Sequence, residues 1–342
     1  MMDNYGFYTG KSFDAYEFFG CHTDENGAVF RVFAPAAVRI SVIGEFNGWQ
    51  DTPMNKIGDG NFWAVYIEGV KPGQMYKYKI YKPDGSCMDH CDPYGYGMEL
   101  RPASASIVRN LYGYEFQDDA WMKRRSNGVA SALNIYEIHA GSWKKPQNGW
   151  YRYDELATQL VPYLKEYGYN YIELLPIGEH PCDESWGYQC SGFYSPTSRY
   201  GTLDDYKKMI DILHHNDIGV IMDFVPVHFA LDAYALAKFD GTALYEYPHK
   251  DVGNSEWGSC NFMHSRGEVR SFLQSCANYW LKEYHVDGLR MDAISNMIYW
   301  QGNPARGVNK DAVVFLQNMN EGLVNRHSGI LLAAEDSTVY PG

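Results

Sequence analysis

From Ala28 to about Tyr81 the chain alternates apolar and polar residues with a period of two, in VFRVFAP, VRISVIG, FWAVYIEG and MYKYKIYK. The clusters NGWQDTP, GDGN and KPGQ interrupt the alternation with turn-forming residues. Period-two segments bury one face of a strand, and short strands at regular spacing with Gly, Asn and Pro between them predict a small β-sandwich. After Trp121 the rhythm changes. NIYEIHAGSW is followed by DELATQLVPYLKEYG, whose Leu156, Leu160, Val161 and Leu164 recur on one face of a helix. Then come YIELLP, a helical DDYKKMIDILHHN and IGVIMDF. EVRSFLQSCANYWLKEY follows with Val269, Phe272, Leu273, Cys276 and Trp280 in helical register, then VDGLRMD, DAVVFLQNMNEGLVNRH and GILLAAE.

Strands are therefore expected near 133–138, 171–175, 218–223, 288–291 and 330–334, alternating with amphipathic helices. Mainly apolar strands in that alternation predict a parallel sheet covered by helices. A doubly wound sheet would carry a glycine-rich phosphate turn after its first strand, and HAGSWKKPQNG is not that fingerprint. A barrel is preferred. Closing one takes eight strands, so five predict an incomplete (β/α)8 TIM barrel with open edges, prone to aggregate and inactive alone. The expected fold class is multidomain, β followed by α/β: a sandwich with an amino-terminal segment over 1–120, then a partial barrel over 121–342.

Composition narrows the function classes. The 342 residues suffice for two cores, and a net charge of −13 disfavours nucleic acid and anionic membranes as partners, because both reward basic patches. Seven cysteines and no long apolar span read as free thiols in a reducing cytoplasm. Cys87, His90 and Cys91 lack a second half-site for a metal, and no compact cluster of oxygen ligands suggests calcium, so no metal and no cofactor is assigned. The 29 tyrosines and 9 tryptophans suit either sugar stacking or ordinary cores.

Polar groups gather at the carboxyl ends of three predicted strands: Asp223 and His228 in DFVPVH, Arg290 and Asp292 in GLRMDA, and Glu335 in LLAAEDST. A barrel assembles its active site at that end. Residues 290 and 292 are two apart on a strand, so their side chains leave the same face, and an arginine beside a carboxylate favours its ionised form. Each motif alone could be a structural ion pair or a solvated carboxylate. Together, a nucleophilic carboxylate and an acid carboxylate on one rim match the retaining glycosidase scheme.

DFVPVH, GLRMDA and AAEDST resemble the first three motif regions of the α-amylase clan (glycoside hydrolase family 13). SWGYQCSGFYSPTSRYGT at 185–202, LAKFDGTALYEY at 236–247 and DAISNMIY at 292–299 are similar to the stretches between those motifs in 1,4-α-glucan (glycogen) branching enzymes. GEFNGW at 44–49 and DPYGYGMELRPASASIV at 92–108 resemble the family 48 carbohydrate-binding module that precedes such barrels. The resemblance covers nearly the whole chain. It implies Asp292 as nucleophile, Glu335 as general acid and base, and Tyr188, Asp223, His228 and Arg290 as substrate-binding, with Trp49 and Trp63 as candidates for glucan contact on the module. It further implies an α-1,4-glucan partner and transfer of chains into α-1,6 branches. The alternatives are a catalytically incomplete glucan-binding fragment, or a hydrolase or debranching enzyme of the same clan. Departures from the resemblance are Cys190, Asn296, Asp336 and the absence of a fourth motif, which supplies a histidine and an aspartate in the family.

Overall fold

The computed structural model describes residues 2–128, 132–338 and 340–341. The alternating region folds as two antiparallel sheets. One joins Gly20–Thr23, Gly27–Phe33, Phe62–Glu68 and Asn55–Ile57. The other joins Thr52–Pro53, Arg39–Gly44, Met75–Tyr81 and Cys87–His90, with Ser106–Ile107 also pairing along Met75–Tyr81. The period-two pattern does what it predicts: Met75–Tyr81 buries Tyr76, Tyr78 and Ile80 and leaves the residues between them half-exposed. Phe30 of one sheet meets Tyr76 of the other edge-to-face with ring centroids 5.0 Å apart. The Tyr76 and Tyr78 hydroxyls donate to Asp92 Oδ2 at 2.7 and 3.0 Å, and burial pushes that carboxyl up to about 6.

The second half builds a five-stranded parallel sheet from Ile135–Ile138, Tyr171–Leu174, Gly219–Phe224, Gly288–Met291 and Leu331–Ala334, neighbours in chain order. Each strand begins and ends within two residues of its expected position. The incomplete barrel is what is found: among the described residues the first and last strands pair on one side only. Ile135 is 38% exposed at one open edge. Gly219 is required where it stands, because a Cβ there would lie 2.1 Å from the Tyr171 ring on the adjacent strand.

Helices Tyr153–Tyr167, Leu203–His215, Gly267–Glu283 and Lys310–Arg326 cover the sheet. Leu156, Leu160 and Leu164 are buried as the helical spacing requires, and so are Val269, Phe272, Leu273, Cys276 and Trp280. The Gly267–Glu283 helix differs from an ordinary amphipathic one, since its polar face is buried as well. The chain's first residues lie against that face. Ser271 Oγ donates to the Phe7 carbonyl at 2.8 Å, Gln274 Nε2 to Gly10 at 3.0 Å and Asn278 Nδ2 to Phe13 at 2.9 Å, while Ser275 Oγ accepts from the Ala15 N–H at 3.0 Å. A polar helix face becomes a docking surface when its side chains satisfy the backbone of an irregular segment.

The connection between sandwich and barrel is pinned by a buried charge network at the amino ends of the strands. His214 contacts Asp118 Oδ2 at 2.7 Å through Nδ1 and Asp287 Oδ2 at 2.9 Å through Nε2. Asp287 also accepts from Trp121 Nε1 at 2.8 Å and pairs with Arg125 at 3.3 Å. Burial alone would discharge His214, but Asp287 and Asp118 overrule it and its pKa is raised. Burial likewise opposes ionisation of Asp118 and Asp287, yet the cations around them leave both lowered.

A histidine with a raised pKa stabilises fully below its unfolded value and loses that contribution as pH rises through the folded value. The depressed carboxylates stabilise above their unfolded values and lose it on acidification, so the network contributes most between roughly pH 4 and 6.5. His214→Gln should destabilise the fold most in that window, by the roughly 3–5 kcal/mol that follows loss of one partner in a buried pair, and so lower the melting temperature most there. Thermal denaturation of both proteins across pH measures the difference, which should shrink above neutrality.

Candidate active site

Four of the sequence-predicted residues, Asp223, Asp292, Glu335 and Tyr188, gather around the guanidinium of a fifth, Arg290. Parallel register sets Asp223 opposite Arg290 and Arg290 opposite Ala333, so Asp292 and Glu335 leave adjacent strands one step further on. Arg290 Nη1 donates to Asp223 Oδ2 at 2.9 Å and to Asp292 Oδ1 at 2.8 Å, and Nη2 lies 3.9 Å from Glu335 Oε2. The Tyr188 hydroxyl donates to the same Asp223 Oδ2 at 2.7 Å. Glu335 Oε2 accepts the Ala293 N–H at 2.7 Å, which ties the third carboxylate to the turn after Asp292. A pocket of about 330 Å³ opens beside this cluster, walled by Tyr188, His228, Asp292 and Glu335 with Ser185 and Gln189.

Burial dominates the electrostatics. It raises Asp292 to about 6 and Asp223 to about 7, and Arg290 opposes the rise in each case. At neutral pH Asp292 is thus mostly a carboxylate, but a costly one that gains from sharing its charge with an electrophile. His228, only 3% exposed, is depressed to about 4 by burial and stands neutral, its Nδ1 without a hydrogen-bond partner among the described residues. A neutral imidazole in that position offers a hydrogen bond to a hydroxyl without adding a charge. Two carboxylates, a phenol and a neutral histidine on one pocket wall, with the guanidinium bonded to Asp292 behind them, suit an uncharged polyol whose reacting carbon becomes positive.

Two participants were not singled out from the sequence. Trp257, 43% exposed, lines the pocket with its ring 5.2 Å from that of His228, and Gln189 Nε2 holds its loop by donating to the Trp257 carbonyl at 2.9 Å. It lies in the turn-rich NSEWGS, away from any strand end, and its one signal is a tryptophan isolated among polar residues. Glu173 sits within Tyr171–Leu174, its pKa raised by burial and then by Glu137 beside it. A glutamate inside an apolar strand was the available signal.

On the sandwich the two candidate tryptophans part. GEFNGW folds around Asn47, whose side chain accepts from the Gly44 N–H and donates to the Val42 carbonyl and Thr52 Oγ1. Gly48 and Trp49 both take positive φ, 62° and 60°, and the indole of Trp49 emerges 41% exposed. Trp63 is a correction to the expectation. It is 4% exposed in the core, and its Nε1 donates to the Ala34 carbonyl at 3.0 Å, so it offers no face to a ligand.

All seven cysteines are free thiols. Burial lifts Cys91 to about 12 and so disfavours the thiolate a metal would need, and His90 Nδ1 is engaged with the Ala235 carbonyl at 3.0 Å. Among the described residues no group of three or more His, Cys, Asp or Glu side chains is arranged to hold a metal ion.

Residues 18–95 match the family of carbohydrate-binding module 48 (isoamylase N-terminal domain), and residues 156–251 match the α-amylase catalytic domain. The antiparallel sheets agree with the first match, and the parallel strands with the second. The chain is similar to 1,4-α-glucan branching enzymes GlgB. It is 44% identical over 344 residues to that of Fusobacterium nucleatum subsp. nucleatum, covering 99% of this chain and 56% of the relative. It is 45% identical over 350 residues to that of Geobacillus stearothermophilus, covering 99% and 55%. The chain spans about half the length of the curated relatives it matches. The crystal structure of apo pullulanase from Paenibacillus barengoltzii superposes with a TM-score of 0.74 at 18% identity, over 93% of this chain and 52% of that one, a likeness of fold.

The contrast between the tryptophans is testable. Trp49→Ala should weaken retardation in glycogen-containing gels while leaving the melting temperature unchanged. Trp63→Ala should instead destabilise the sandwich by about 3–5 kcal/mol, read as an earlier unfolding transition in urea.

Proposed function

We propose that the chain carries the donor-cleaving half of a retaining transglycosylase, a 1,4-α-glucan branching enzyme of glycogen synthesis. The observation that carries the reading is the single Arg290 guanidinium shared by Asp223 and Asp292 at the strand ends, with Glu335 alongside. Asp292 attacks the anomeric carbon of an α-1,4-linked glucosyl unit, the bond from that carbon to the leaving O4 breaks, and Glu335 delivers the proton to O4. The 6-hydroxyl of an acceptor chain then attacks the same carbon, Glu335 takes its proton, and Asp292 leaves as a carboxylate with an α-1,6 branch formed. Asp223, Tyr188, His228 and Arg290 hold the glucosyl hydroxyls and keep Asp292 oriented. The 40–45% identity to branching enzymes along nearly the whole chain supports branching over simple hydrolysis. Seven free thiols support a reducing, cytoplasmic setting, and among the described residues no helix is long and apolar enough to cross a membrane.

The test is a chimera in which the remaining half of the Geobacillus stearothermophilus enzyme continues this chain. It should shift the iodine stain of amylose, and Asp292→Asn should abolish the shift while glycogen binding persists, because the amide cannot form the glycosyl ester. Activity that survives Asp292→Asn, deamidation excluded, removes Asp292 from the role.

The pH dependence follows from the burial of Asp292. In wild type kcat/KM should climb as pH rises through about 6, where the nucleophile ionises. Arg290→Gln removes the cation that opposes burial, so this acidic limb should move to higher pH as kcat falls. A limb that stays in place in the variant would show that Arg290 does not tune the nucleophile.

A further inference from the structure

A second cavity, of about 270 Å³, opens among the segments that follow the first two parallel strands, Ile135–Ile138 and Tyr171–Leu174, and Trp150, His180, Trp186 and Tyr200 help to wall it. One turn serves both cavities. Ser185, Tyr188 and Gln189 line the catalytic pocket, while Asp183, Glu184 and Trp186 line the second.

That turn is set before any ligand arrives. Asp183 accepts from Arg101 Nε at 2.8 Å and from Arg199 Nη2 at 2.6 Å, and Arg199 Nη1 donates to Glu179 Oε1 at 2.6 Å. Trp186 takes φ 55°, an unfavourable conformation for a bulky side chain, and its indole stands 56% exposed on the cavity wall. Gly187 follows at φ 95°, where a Cβ would lie 2.4 Å from the Pro176 carbonyl oxygen. The same ion pairs neutralise the buried charges. Lys145 and Glu184, the remaining charged groups on the wall, are exposed and opposite in sign, so the cavity favours a neutral ligand.

Two buried polar side chains define what that ligand carries. His180, 2% exposed, directs Nδ1 to the Gly178 carbonyl at 2.9 Å; Nδ1 therefore holds the proton, and Nε2 is an acceptor. Burial and Arg199 depress its pKa to about 4, so the ring is neutral. Tyr200 is 3% exposed, and Gly141 leaves room for its hydroxyl, since a Cβ at 141 would lie 2.5 Å from that oxygen. Neither His180 Nε2 nor Tyr200 Oη has a hydrogen-bond partner among the described residues, and neither is sealed from solvent. An uncharged acceptor and an uncharged hydroxyl beside indole faces suit the hydroxyls and apolar ring face of a sugar.

We propose that this cavity is a second glucan subsite. It takes a glucosyl unit of the same chain whose reacting unit lies against Tyr188, with the sugar ring on Trp186 and its hydroxyls on His180 Nε2 and Tyr200 Oη. The choice of sugar rests on the glucan reading of the catalytic pocket. A chain long enough to occupy both cavities is then selected over a short one.

Titration calorimetry on the intact chain, carrying Trp49→Ala so that the module contributes least, tests this with maltose and maltohexaose. Maltohexaose should bind at least about tenfold more tightly than maltose. Adding Trp186→Ala should weaken maltohexaose about tenfold without lowering the melting temperature, and Trp186→Phe should retain most of the affinity. Tyr200→Phe removes one oxygen and leaves the ring packing intact, and should weaken maltohexaose about fivefold. Maltohexaose giving no heat with the parent, or binding the Trp186→Ala and Tyr200→Phe proteins as tightly as the parent, would overturn the subsite. In the chimera, Trp186→Ala should raise KM for amylose and leave kcat within about twofold; a fall in kcat at unchanged KM would overturn the subsite in favour of a positioning role. Failure of the branching reading looks different. The chimera would then leave the iodine stain unshifted, while loss of maltohexaose affinity in Trp186→Ala would still support a glucan site here.

Discussion

The parallel register of five short strands is the constraint on which everything at the rim depends. Asp223, Arg290 and Ala333 stand side by side across three strands, and from that row the chain releases Asp292 and Glu335 at one level. Because side chains alternate faces, a slip of one residue in either pairing would send Arg290 or Asp292 to the helix side and dissolve the cluster. Nothing in the loops could restore it. The helices that cover the sheet, and the glycine at 219 that lets Tyr171 lie flat against its neighbour, serve the site chiefly by holding that register.

The two ends of the same sheet treat buried charge in opposite ways. At the amino ends, His214, His285 and Arg125 surround Asp118 and Asp287 closely enough to leave both carboxylates below their ordinary range. At the carboxyl ends one guanidinium serves several acids, and burial wins: Asp292 and Asp223 stay above theirs. The first arrangement is what a fold does to make ions comfortable. The second leaves them under-compensated, which is the condition in which a carboxylate gains by bonding to an incoming electrophile. Structural and chemical carboxylates are told apart here by the ratio of cations to acids, since both sets are buried.

Much of this is legible in the sequence. Period-two alternation located the sandwich strands, and apolar runs ending in polar groups located the five parallel strands and most of the cluster around Arg290. Trp63 misled, because a tryptophan in FWAVYIEG reads identically whether its strand turns it inward or outward, and burial is a property of both sheets together. Trp257 escaped notice because its position depends on a loop path that no periodicity encodes. The polar face of EVRSFLQSCANYWLKEY was equally deceptive. Ser271, Gln274, Ser275 and Asn278 look like a solvated stripe until the chain's own beginning is found lying on them.

That last contact fixes an order of events during synthesis. The backbone of residues 6–15 finds its hydrogen-bond partners on a helix that begins at Gly267, so roughly two hundred and fifty residues must leave the ribosome before the first dozen can settle. At about 5–20 residues per second that is a wait of more than ten seconds, during which Phe7 and Phe13 have no native surface of the later helix to cover them. The amino-terminal segment is thus captured well after the sandwich strands that follow it have been made, and its docking reports that the helix leading into the fourth parallel strand has folded.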